Sequence, residues 1–372
     1  MTGKIAVLGG YGNFGKRISR ALAAKGTDVL IVGRDSARAK ALADAIGPRA
    51  TAAPTRVPGG LAELFAAHRP AAVVNTVGPF QGQGYETARS AIVAGVHYVD
   101  LADGRQFVCG IDALDAETKE AGVAVISGAS TVPALSDAVL AEYRDNFAGP
   151  VTMQYGIAPG QRAERGRATT EGILSYVGKP LAPFPGIHPT VYGWQDLYRQ
   201  DLPGLGRRWM ANCDVPDLEL LPERYGLRSI QFSAGLELAP LHLGLCAIGW
   251  LRRAGLPLPL ERAAGPLLAA SNWFNAFGTA DGGMHVRLTG PDARAPNSRA
   301  ERQWTIIARD GDGPHIPTIP AILIAQRIAQ GTPPLPGARP CLGLVTLQDY
   351  LAELAPLRIE TQTSLRIIGS EP

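Results

Sequence analysis

The chain has 372 residues, a formal net charge of +3 and a sequence pI near 8.7, with 46% hydrophobic residues. This length allows two domains, each with a sizeable core. The positive charge comes from scattered arginines, without a basic run or an aromatic ladder, so we expect no nucleic-acid partner.

The four cysteines lie far apart in the sequence, at Cys109, Cys213, Cys246 and Cys341. They form no C-x-x-C pair and have no histidine at ligand spacing, so we expect neither a metal site nor a disulfide framework. Reduced thiols, together with an N-terminus that enters a strand without a leader-like segment, predict a cytoplasmic protein.

The first part of the sequence alternates predicted strands and helices. Strands are predicted at Ile5–Leu8, Asp28–Val32, Ala50–Ala53, Ala71–Thr76, His97–Leu101 and Val123–Ser127. Helices are predicted at 14–25, 36–46, 60–68, 85–94 and 110–121. Glycines at 26, 47, 95 and 122 suit left-handed helix caps. The pattern predicts an α/β domain with a Rossmann-type, doubly wound parallel sheet over residues 1–130.

A glycine-rich turn joins the first strand to the first helix, with the sequence Gly9-Gly10-Tyr11-Gly12-Asn13-Phe14-Gly15. The start of a helix favours anions, and a diphosphate reaches its N–H groups only where no Cβ intervenes. Gly10 makes the turn, Gly12 allows the close approach and Gly15 lets the helix pack on the strand. Residues 10–15 are therefore predicted to bind a dinucleotide.

The end of the second strand indicates which dinucleotide is bound. An acidic residue here would hold the ribose 2′-OH of NAD, whereas an arginine can accept the 2′-phosphate of NADP. Arg34 stands at this position and favours NADP(H). Asp35 follows it and either caps the next helix or touches the ribose; Arg38, one turn further, either assists Arg34 or is solvated surface.

In an open parallel sheet, ligands bind beyond the carboxyl ends of the strands. After the fourth strand, Thr76, Val77, Gly78 and Pro79 suit a loop along the cofactor ribose, with Phe80 beside the substrate. A simple Gly-Pro turn is the alternative. After the sixth strand, a small and polar stretch is predicted to form the floor of the substrate site, at Gly128, Ala129 and Ser130.

Asp100, at the end of the fifth strand, is the candidate catalytic group. It would transfer a proton or hold a substrate ammonium, or it would simply cap a turn. Tyr98 is a second, weaker candidate, because strand tyrosines usually pack.

After residue 130 the pattern changes to alternating strands, at 151–155, 229–238, 285–288 and 303–308. This predicts an α+β substrate and dimerisation domain over 131–315 with a largely antiparallel sheet. Helices are predicted at Thr169–Val177, 241–251 and 260–276. Residues 316–372 are predicted as a helix at 320–330 that returns toward the first domain, a proline-rich connector at 332–340 and a tail.

Three arginines, Arg162, Arg165 and Arg167, precede a predicted helix start in the second domain. Guanidinium groups beside a helix N-terminus suit a carboxylate or phosphate, so Arg167 and Thr170 are candidate substrate contacts. A solvated basic loop is the alternative. The apolar run 236–251 is too short to span a membrane and is interpreted as a buried helix, with a helix on the membrane surface as the alternative.

Other enzyme signatures are missing from the sequence. No tyrosine has a lysine four residues later, as short-chain dehydrogenases require, and neither G-x-S-x-G nor H-E-x-x-H occurs. The chain resembles the saccharopine dehydrogenase-like oxidoreductases. The resemblance rests on GGYGNFG at 9–15, VGR at 32–34, NTVGPF at 75–80, AGVHYVDL at 94–101 and ISGAS at 126–130, and more loosely on GRATTEGILSYVG at 166–178 and GPHIPTIPA at 313–321.

The resemblance implies a nucleotide domain joined to an α+β domain that often mediates dimers, and NADP(H)-dependent redox at a C–N bond of a small-molecule substrate. We therefore expect an imine reductase or amine dehydrogenase that forms a homodimer. Two alternatives stay open, an enoyl C=C reductase acting on a lipid-like substrate and a non-enzymatic, nucleotide-responsive binding protein with peripheral membrane contact.

Overall fold

The computed structural model describes residues 3–186, 190–295 and 297–370. The chain divides into two compact units. The first unit comprises Met1–Leu135 and His315–Glu353, and the second comprises Ser136–Pro314 and Leu354–Pro372. The predicted C-terminal part, 316–372, is thus divided between the two units.

The strands of the described residues are β1 (Ile5–Leu8), β2 (Val29–Gly33), β3 (Ala50–Pro54), β4 (Ala72–Asn75), β5 (His97–Asp100), β6 (Ala124–Ser127), β7 (Thr152–Ala158), β8 (Tyr198–Leu202), β9 (Gly206–Asn212), β10 (Ser229–Ala234), β11 (Gly282–Pro291), β12 (Ser298–Ala308), β13 (Gly337–Pro340) and β14 (Ile359–Ser370). The α-helices are α1 (Asn13–Ala24), α2 (Ser36–Ile46), α3 (Leu61–His68), α4 (Glu86–Val93), α5 (Arg105–Cys109), α6 (Asp115–Glu120), α7 (Ser136–Tyr143), α8 (Arg167–Tyr176), α9 (Asp217–Tyr225), α10 (Ala239–Arg253), α11 (Ala264–Asn272), α12 (Ile319–Ala329) and α13 (Leu347–Leu354).

The first unit contains a seven-stranded parallel sheet in the order β13-β6-β5-β4-β1-β2-β3. Strands β1, β2, β4 and β6 are buried along their whole length, as expected when helices cover both faces of a parallel sheet. The chain runs outward from β1 in one direction and from β4 in the other. This reversal opens a crevice at their carboxyl ends. The predicted Rossmann architecture is confirmed.

Two segments of the first unit differ from the sequence-based prediction. The helix predicted at 110–121 is instead a 3₁₀ turn at Ile111–Leu114 followed by α6, and the short helix α5 before it was not predicted. The predicted connector at 332–340 contains β13, which pairs with β6 at the edge of the sheet. Pro340 is compatible with this strand because an edge strand needs no second ladder of N–H donors.

The second unit contains a seven-stranded mixed sheet in the order β14-β12-β11-β7-β10-β9-β8. Only the β7–β10 pair is parallel among the described ladders, so the predicted, largely antiparallel sheet is confirmed. The stretch between 179 and 226, for which no element was predicted, contains β8, β9 and α9.

The interpretation of 236–251 as a buried helix is wrong. Within α10, only His242, Cys246 and Gly249 are buried, and they form a single narrow stripe. Trp250 is 54% exposed. A uniformly apolar run does not indicate how much of the helix surface finds a partner. Among the described residues, no helix is long and apolar enough to cross a membrane.

A substitution in helix α12 tests how the first unit is stabilised. The helix packs on α1 and on β4 and β5, and Ile324 is fully buried there. We expect Ile324→Ala to lower the free energy of unfolding by about 2–5 kcal/mol, because it removes buried methyl groups and leaves a cavity. Leu335→Ala is the control, since Leu335 is 77% exposed and its loss should cost under about 0.5 kcal/mol. Chemical denaturation of both variants measures the difference, and equal losses would contradict this packing.

Candidate functional site

The glycine turn after β1 is too tight for side chains at two of its positions. A Cβ at Gly15 would lie 2.2 Å from the Gly9 carbonyl oxygen, and a Cβ at Gly10 would lie 2.8 Å from the Val7 carbonyl oxygen. Gly9 has a φ of +70°, in the left-handed region that favours glycine. The roles predicted for Gly10 and Gly15, a turn and close helix packing, match this geometry.

Gly12 has a different environment. A Cβ there would meet only the Gly9 carbonyl oxygen, at 3.0 Å. Gly12 is also the N-cap of α1, with no side-chain cap and no acidic residue in the first turn of the helix. The positive end of the helix dipole is therefore not neutralised by a carboxylate of that turn, which fits the diphosphate of a dinucleotide.

The other residues predicted in this turn make local contacts. The Tyr11 ring lies against Gly33, where a Cβ would be 2.2 Å from the ring. The Tyr11 hydroxyl accepts a hydrogen bond from the Asp35 N–H at 3.0 Å. The Asn13 carbonyl accepts one from Arg17 at 2.7 Å, and Phe14 is half-buried.

Asp35, at the end of β2, has one of its two predicted roles, that of a helix cap. Its Oδ1 accepts a hydrogen bond from the Arg38 N–H at 3.0 Å, so Asp35 caps α2. The Arg38 guanidinium lies 4.7 Å from the centre of the Tyr11 ring, a cation–π contact. Arg34 is exposed beside them, which is the exposure that a 2′-phosphate contact requires.

The loop after β4 is fastened to the glycine turn. The Thr76 hydroxyl donates to the Leu8 carbonyl at 2.7 Å, and the Thr76 N–H donates to the same oxygen at 3.1 Å. The Val77 N–H donates to Asn75 Oδ1 at 3.0 Å. Gly78 and Pro79 follow, and Gln83 Nε2 donates to the Val77 carbonyl at 3.3 Å. Thr76 and Val77 therefore lie at the crevice where the predicted cofactor loop should be.

Asp100 is fully buried and joins two backbone segments, its own after β5 and the one that ends β6. Its Oδ1 accepts hydrogen bonds from the Gly128 N–H at 2.8 Å, from the Ala102 N–H at 3.0 Å and from the Ser127 hydroxyl at 3.0 Å. Its Oδ2 has no hydrogen-bond partner among the described residues. Asp100 thus caps a turn, as one interpretation predicted, and it also links the carboxyl ends of β5 and β6.

Burial is the largest influence on the acidity of this group. It raises the pKa of Asp100 from 3.8 to about 6, although the hydrogen bonds that this carboxyl accepts act in the opposite direction. Tyr98, on the same strand, is fully buried, and its hydroxyl accepts a hydrogen bond from Asn75 Nδ2 at 3.1 Å. Burial raises the pKa of Tyr98 well above 10, and the neighbouring Asp100 charge adds to this. Tyr98 is therefore neutral at ordinary pH, and its role in catalysis stays a prediction.

The predicted substrate residues of the first unit lie around Asp100 or in the loop after β4. The Ala129 N–H donates to the Asp100 carbonyl at 2.8 Å, and the Ser130 N–H donates to the Gly128 carbonyl at 2.8 Å. Phe80 is buried, with its ring centre 5.3 Å from that of Phe107. Their contact with substrate stays a prediction.

The three arginines of the second unit are occupied by other parts of the chain. Arg162 donates to the Gly278 carbonyl at 2.7 Å, and Arg165 donates to the Gln161 carbonyl at 2.6 Å. Arg167 pairs with Glu171 at 2.6 Å, one turn along α8. Thr170 bonds back to the Gly166 carbonyl within the same helix. These contacts favour the solvated-loop alternative for Arg167, whose role at an anion stays a prediction.

Asn75 and Ser127 are not among the residues that the sequence predicts for the site. Both are buried polar residues at strand ends, and they bind Tyr98 and Asp100 respectively. A polar residue that ends an otherwise apolar strand was the available signal. Its partner could not be found because the pairs lie 23 and 27 residues apart in the sequence.

Comparison with known proteins identifies the domain that carries this site. The family model for the saccharopine dehydrogenase NADP binding domain matches residues 5–152. The structure is similar over 97% of this chain and 100% of the other to apo saccharopine dehydrogenase (L-Glu forming) from Saccharomyces cerevisiae, with a TM-score of 0.64 and 13% identity. That likeness shows a shared fold.

Two further solved structures match only part of the chain. Serine dehydrogenase from Escherichia coli is 15% identical over 33% of this chain and 80% of its own, with a TM-score of 0.27. The 3-hydroxyacyl-CoA dehydrogenase type-2 from Mycobacterium avium is 19% identical over 38% and 81%, with a TM-score of 0.29. No curated protein sequence matches the chain.

The fold and the domain match define an NADP-dependent oxidoreductase. The match of residues 5–152 to the saccharopine dehydrogenase NADP binding domain confirms the resemblance seen in the sequence and the choice of NADP(H) as cofactor.

Arg34 provides a test of how NADP is selected. We expect Arg34→Ala to weaken NADPH binding at least about tenfold, because a charge-assisted contact to a phosphate is lost. NADH has no 2′-phosphate, so its affinity should change less than about threefold. Arg20→Ala, an exposed arginine on α1, is the control. Titration calorimetry with both nucleotides measures the effects, and equal weakening of NADH and NADPH would reject this role.

Proposed function

We propose that this protein reduces the C=N bond of an imine with NADPH, or oxidises the corresponding amine with NADP. The saccharopine dehydrogenase-type domain and the resemblance of the sequence to that family support redox at a C–N bond. The observation that carries the proposal is Asp100, a buried carboxyl at the carboxyl end of β5 whose pKa lies at about 6.

The geometry of Asp100 suits one proton transfer. Oδ1 is held by three hydrogen bonds, whereas Oδ2 has no partner among the described residues. With a pKa at about 6, this carboxyl can give up a proton near neutral pH and take it back. In the reductive direction it donates that proton to the imine nitrogen and becomes a carboxylate, which stabilises the positive iminium.

The remaining residues bind and orient the cofactor. The glycine turn and the N-terminus of α1 would hold the diphosphate, Arg34 would hold the 2′-phosphate, and the Thr76–Pro79 loop would follow the ribose. When bound, NADPH would supply the hydride that reduces the iminium carbon. Ser127 and Gly128 are positioning residues, because they hold Asp100 in place through its Oδ1.

A substrate screen tests the type of bond that is reduced. We expect loss of NADPH absorbance with mixtures of aldehyde and amine, because these form imines in solution. Neither the aldehyde nor the amine alone should support turnover, and these two reactions are the controls. Turnover only with α,β-unsaturated esters would contradict the proposal.

Enoyl reduction on a lipid-like substrate is the second candidate. The observation that favours it is an exposed set of large apolar side chains in the second unit, where Trp273 is 82% and Phe277 is 77% exposed. Such a surface suits an apolar substrate or a membrane surface. Unsaturated acyl esters in the same screen, and flotation of the protein with liposomes, distinguish these possibilities.

The proposal includes a homodimer in the cytoplasm. The resemblance implies dimers formed through the α+β domain, and the sequence composition suits a reducing compartment. Light scattering of the purified protein measures the oligomeric state.

Replacing Asp100 tests the proposed proton transfer. We expect Asp100→Asn to lower kcat for imine reduction by at least about a hundredfold, because the amide cannot donate the proton. The affinity for NADPH should stay within about threefold. The exposed Asp112→Asn is the matched control. Stopped-flow turnover and calorimetry give the two quantities, and retained turnover would reject the role.

The pH dependence separates a proton donor from a structural group. In the wild type, kcat should fall as the pH rises through about 6, and this limb should be missing in Asp100→Asn. Stability should respond in the same range. Because folding raises this pKa from 3.8 to about 6, the folded chain binds the extra proton, so the carboxyl lowers stability by about 3 kcal/mol as the pH rises from about 4 to 6. A change in this stability slope without a change in the kcat profile would leave Asp100 a purely structural residue.

A further inference from the structure

A cavity of about 260 Å³ lies in the second unit, between β8 and the ladder of β11 with β12. Its polar lining is contributed by His285, Arg287, Gln200, Gln303, Thr305 and Asp201. All of these residues belong to the second unit, and none belongs to the glycine turn or to the strand ends described above. The redox proposal therefore gives this cavity no role.

His285 is the most unusual residue of the lining. It is 3% exposed, and neither ring nitrogen has a hydrogen-bond partner among the described residues. Its register neighbour on β7 is Gly156, where a Cβ would lie 3.1 Å from the imidazole Cε1. Burial and the nearby Arg287 charge lower the pKa of His285 to about 3, so the ring is neutral. A neutral imidazole offers one donor and one acceptor to the cavity.

Arg287, two residues along β11, places a positive charge beside this imidazole. One terminal nitrogen donates to Gln154 Oε1 at 3.1 Å, and Nε lies 3.6 Å from Glu301 Oε2. Gln154 is itself held by Gln231, at 3.2 Å. These contacts fix the guanidinium but use only part of its five N–H donors.

We propose that this cavity binds a small organic carboxylate. The guanidinium of Arg287 and the imidazole N–H of His285 both donate hydrogen bonds, and a carboxylate is the acceptor that matches a cationic and a neutral donor side by side. The volume lies just below the roughly 300–1,000 Å³ of pockets for drug-sized ligands, which limits the ligand to a few carbon atoms.

The second functional group of the ligand depends on Asp201. This aspartate is exposed at the lining, and its charge attracts an ammonium and repels a second carboxylate. Both γ-aminobutyrate and succinate carry the shared carboxylate, and they differ in the group at the other end. We expect γ-aminobutyrate to bind more tightly than succinate, and the uncharged succinamide not to bind.

Binding is measured on the full chain by calorimetry and by NMR of the imidazole signals. The chain has six histidines, and the signal of His285 is assigned by comparison with His285→Gln. We expect a saturable movement of that signal with γ-aminobutyrate, and a weaker response to succinate. Binding of neither probe, or equal binding of succinamide, would overturn the proposal.

Substitutions in the cavity lining test whether the carboxylate binds there. Arg287→Met should weaken binding of the carboxylate at least about tenfold, because it removes the cationic donor. Gln200→Glu, nearly isosteric and also in the lining, should weaken it similarly by repulsion and serves if the first variant fails to fold. Arg199→Met, the adjacent exposed arginine outside the lining, should leave binding unchanged.

NADPH titrations of the same variants separate this site from the cofactor site. Arg287→Met should bind NADPH as the wild type does, and a parallel loss of both ligands would overturn a separate site. Unchanged carboxylate binding in both Arg287→Met and Gln200→Glu would also overturn it. No turnover is measured, so failure of imine reduction and failure of this proposal are distinguishable.

Discussion

The close approach of two backbone segments at Gly15 is the constraint on which the nucleotide site depends. With only 2.2 Å between a Cβ at Gly15 and the Gly9 carbonyl oxygen, no other residue allows α1 to start so near β1. This places the N-terminus of α1 at the carboxyl end of the strand, where the sheet order reverses. The loop after β4 is hydrogen-bonded to the carbonyl of Leu8 at the end of β1. The glycine turn and this loop therefore lie side by side at the crevice. The affinity for a dinucleotide follows from this backbone arrangement more than from any single side chain.

Asp100, in the same unit, carries the second part of the proposed function. A buried carboxylate is costly, and three donors to one oxygen compensate for only part of that cost, which is why its pKa stays raised. A chain that needed only a cap at this turn could use asparagine without this penalty. Retention of an ionisable group where its charge is disfavoured is typical of sites where a proton moves, and this reasoning supports the proposed chemistry.

Much of the first unit could be predicted because its signals are local. Each of β1, β2 and β4 is a short apolar run followed by a loop and a helix, and glycine ends several of the helices. Strand β13 could not be predicted, since its Gly337-Ala338-Arg339-Pro340 sequence has no strand-like alternation and forms a strand only by pairing with β6. The exposure of α10 was misjudged for a related reason, because the composition of a helix does not reveal its partners.

The residues of the candidate site also differ in whether a local sequence signal predicts them. Spacing from a predicted strand is visible in a single sequence, and it predicts Gly10, Gly12, Gly15 and Arg34. It does not predict the partners of Asp100, because Ser127 and Gly128 reach it only through the pairing of β5 with β6. The cavity at His285 could not be predicted from the sequence, since it depends on the register of β11 and on the position of β8 beside it.

The division of the chain into two units that interrupt one another has a consequence for biosynthesis. The parallel sheet begins at residue 5 but gains its last strand only at Gly337–Pro340, after the whole 136–314 segment has been translated. Until then the edge of β6 is unpaired, and the sheet face later covered by α12 is open to solvent. A nascent chain in this state presents a strand edge and an apolar surface of the kind that chaperones recognise. The order of elements along the chain thus delays completion of the parallel sheet until the 136–314 segment has been made.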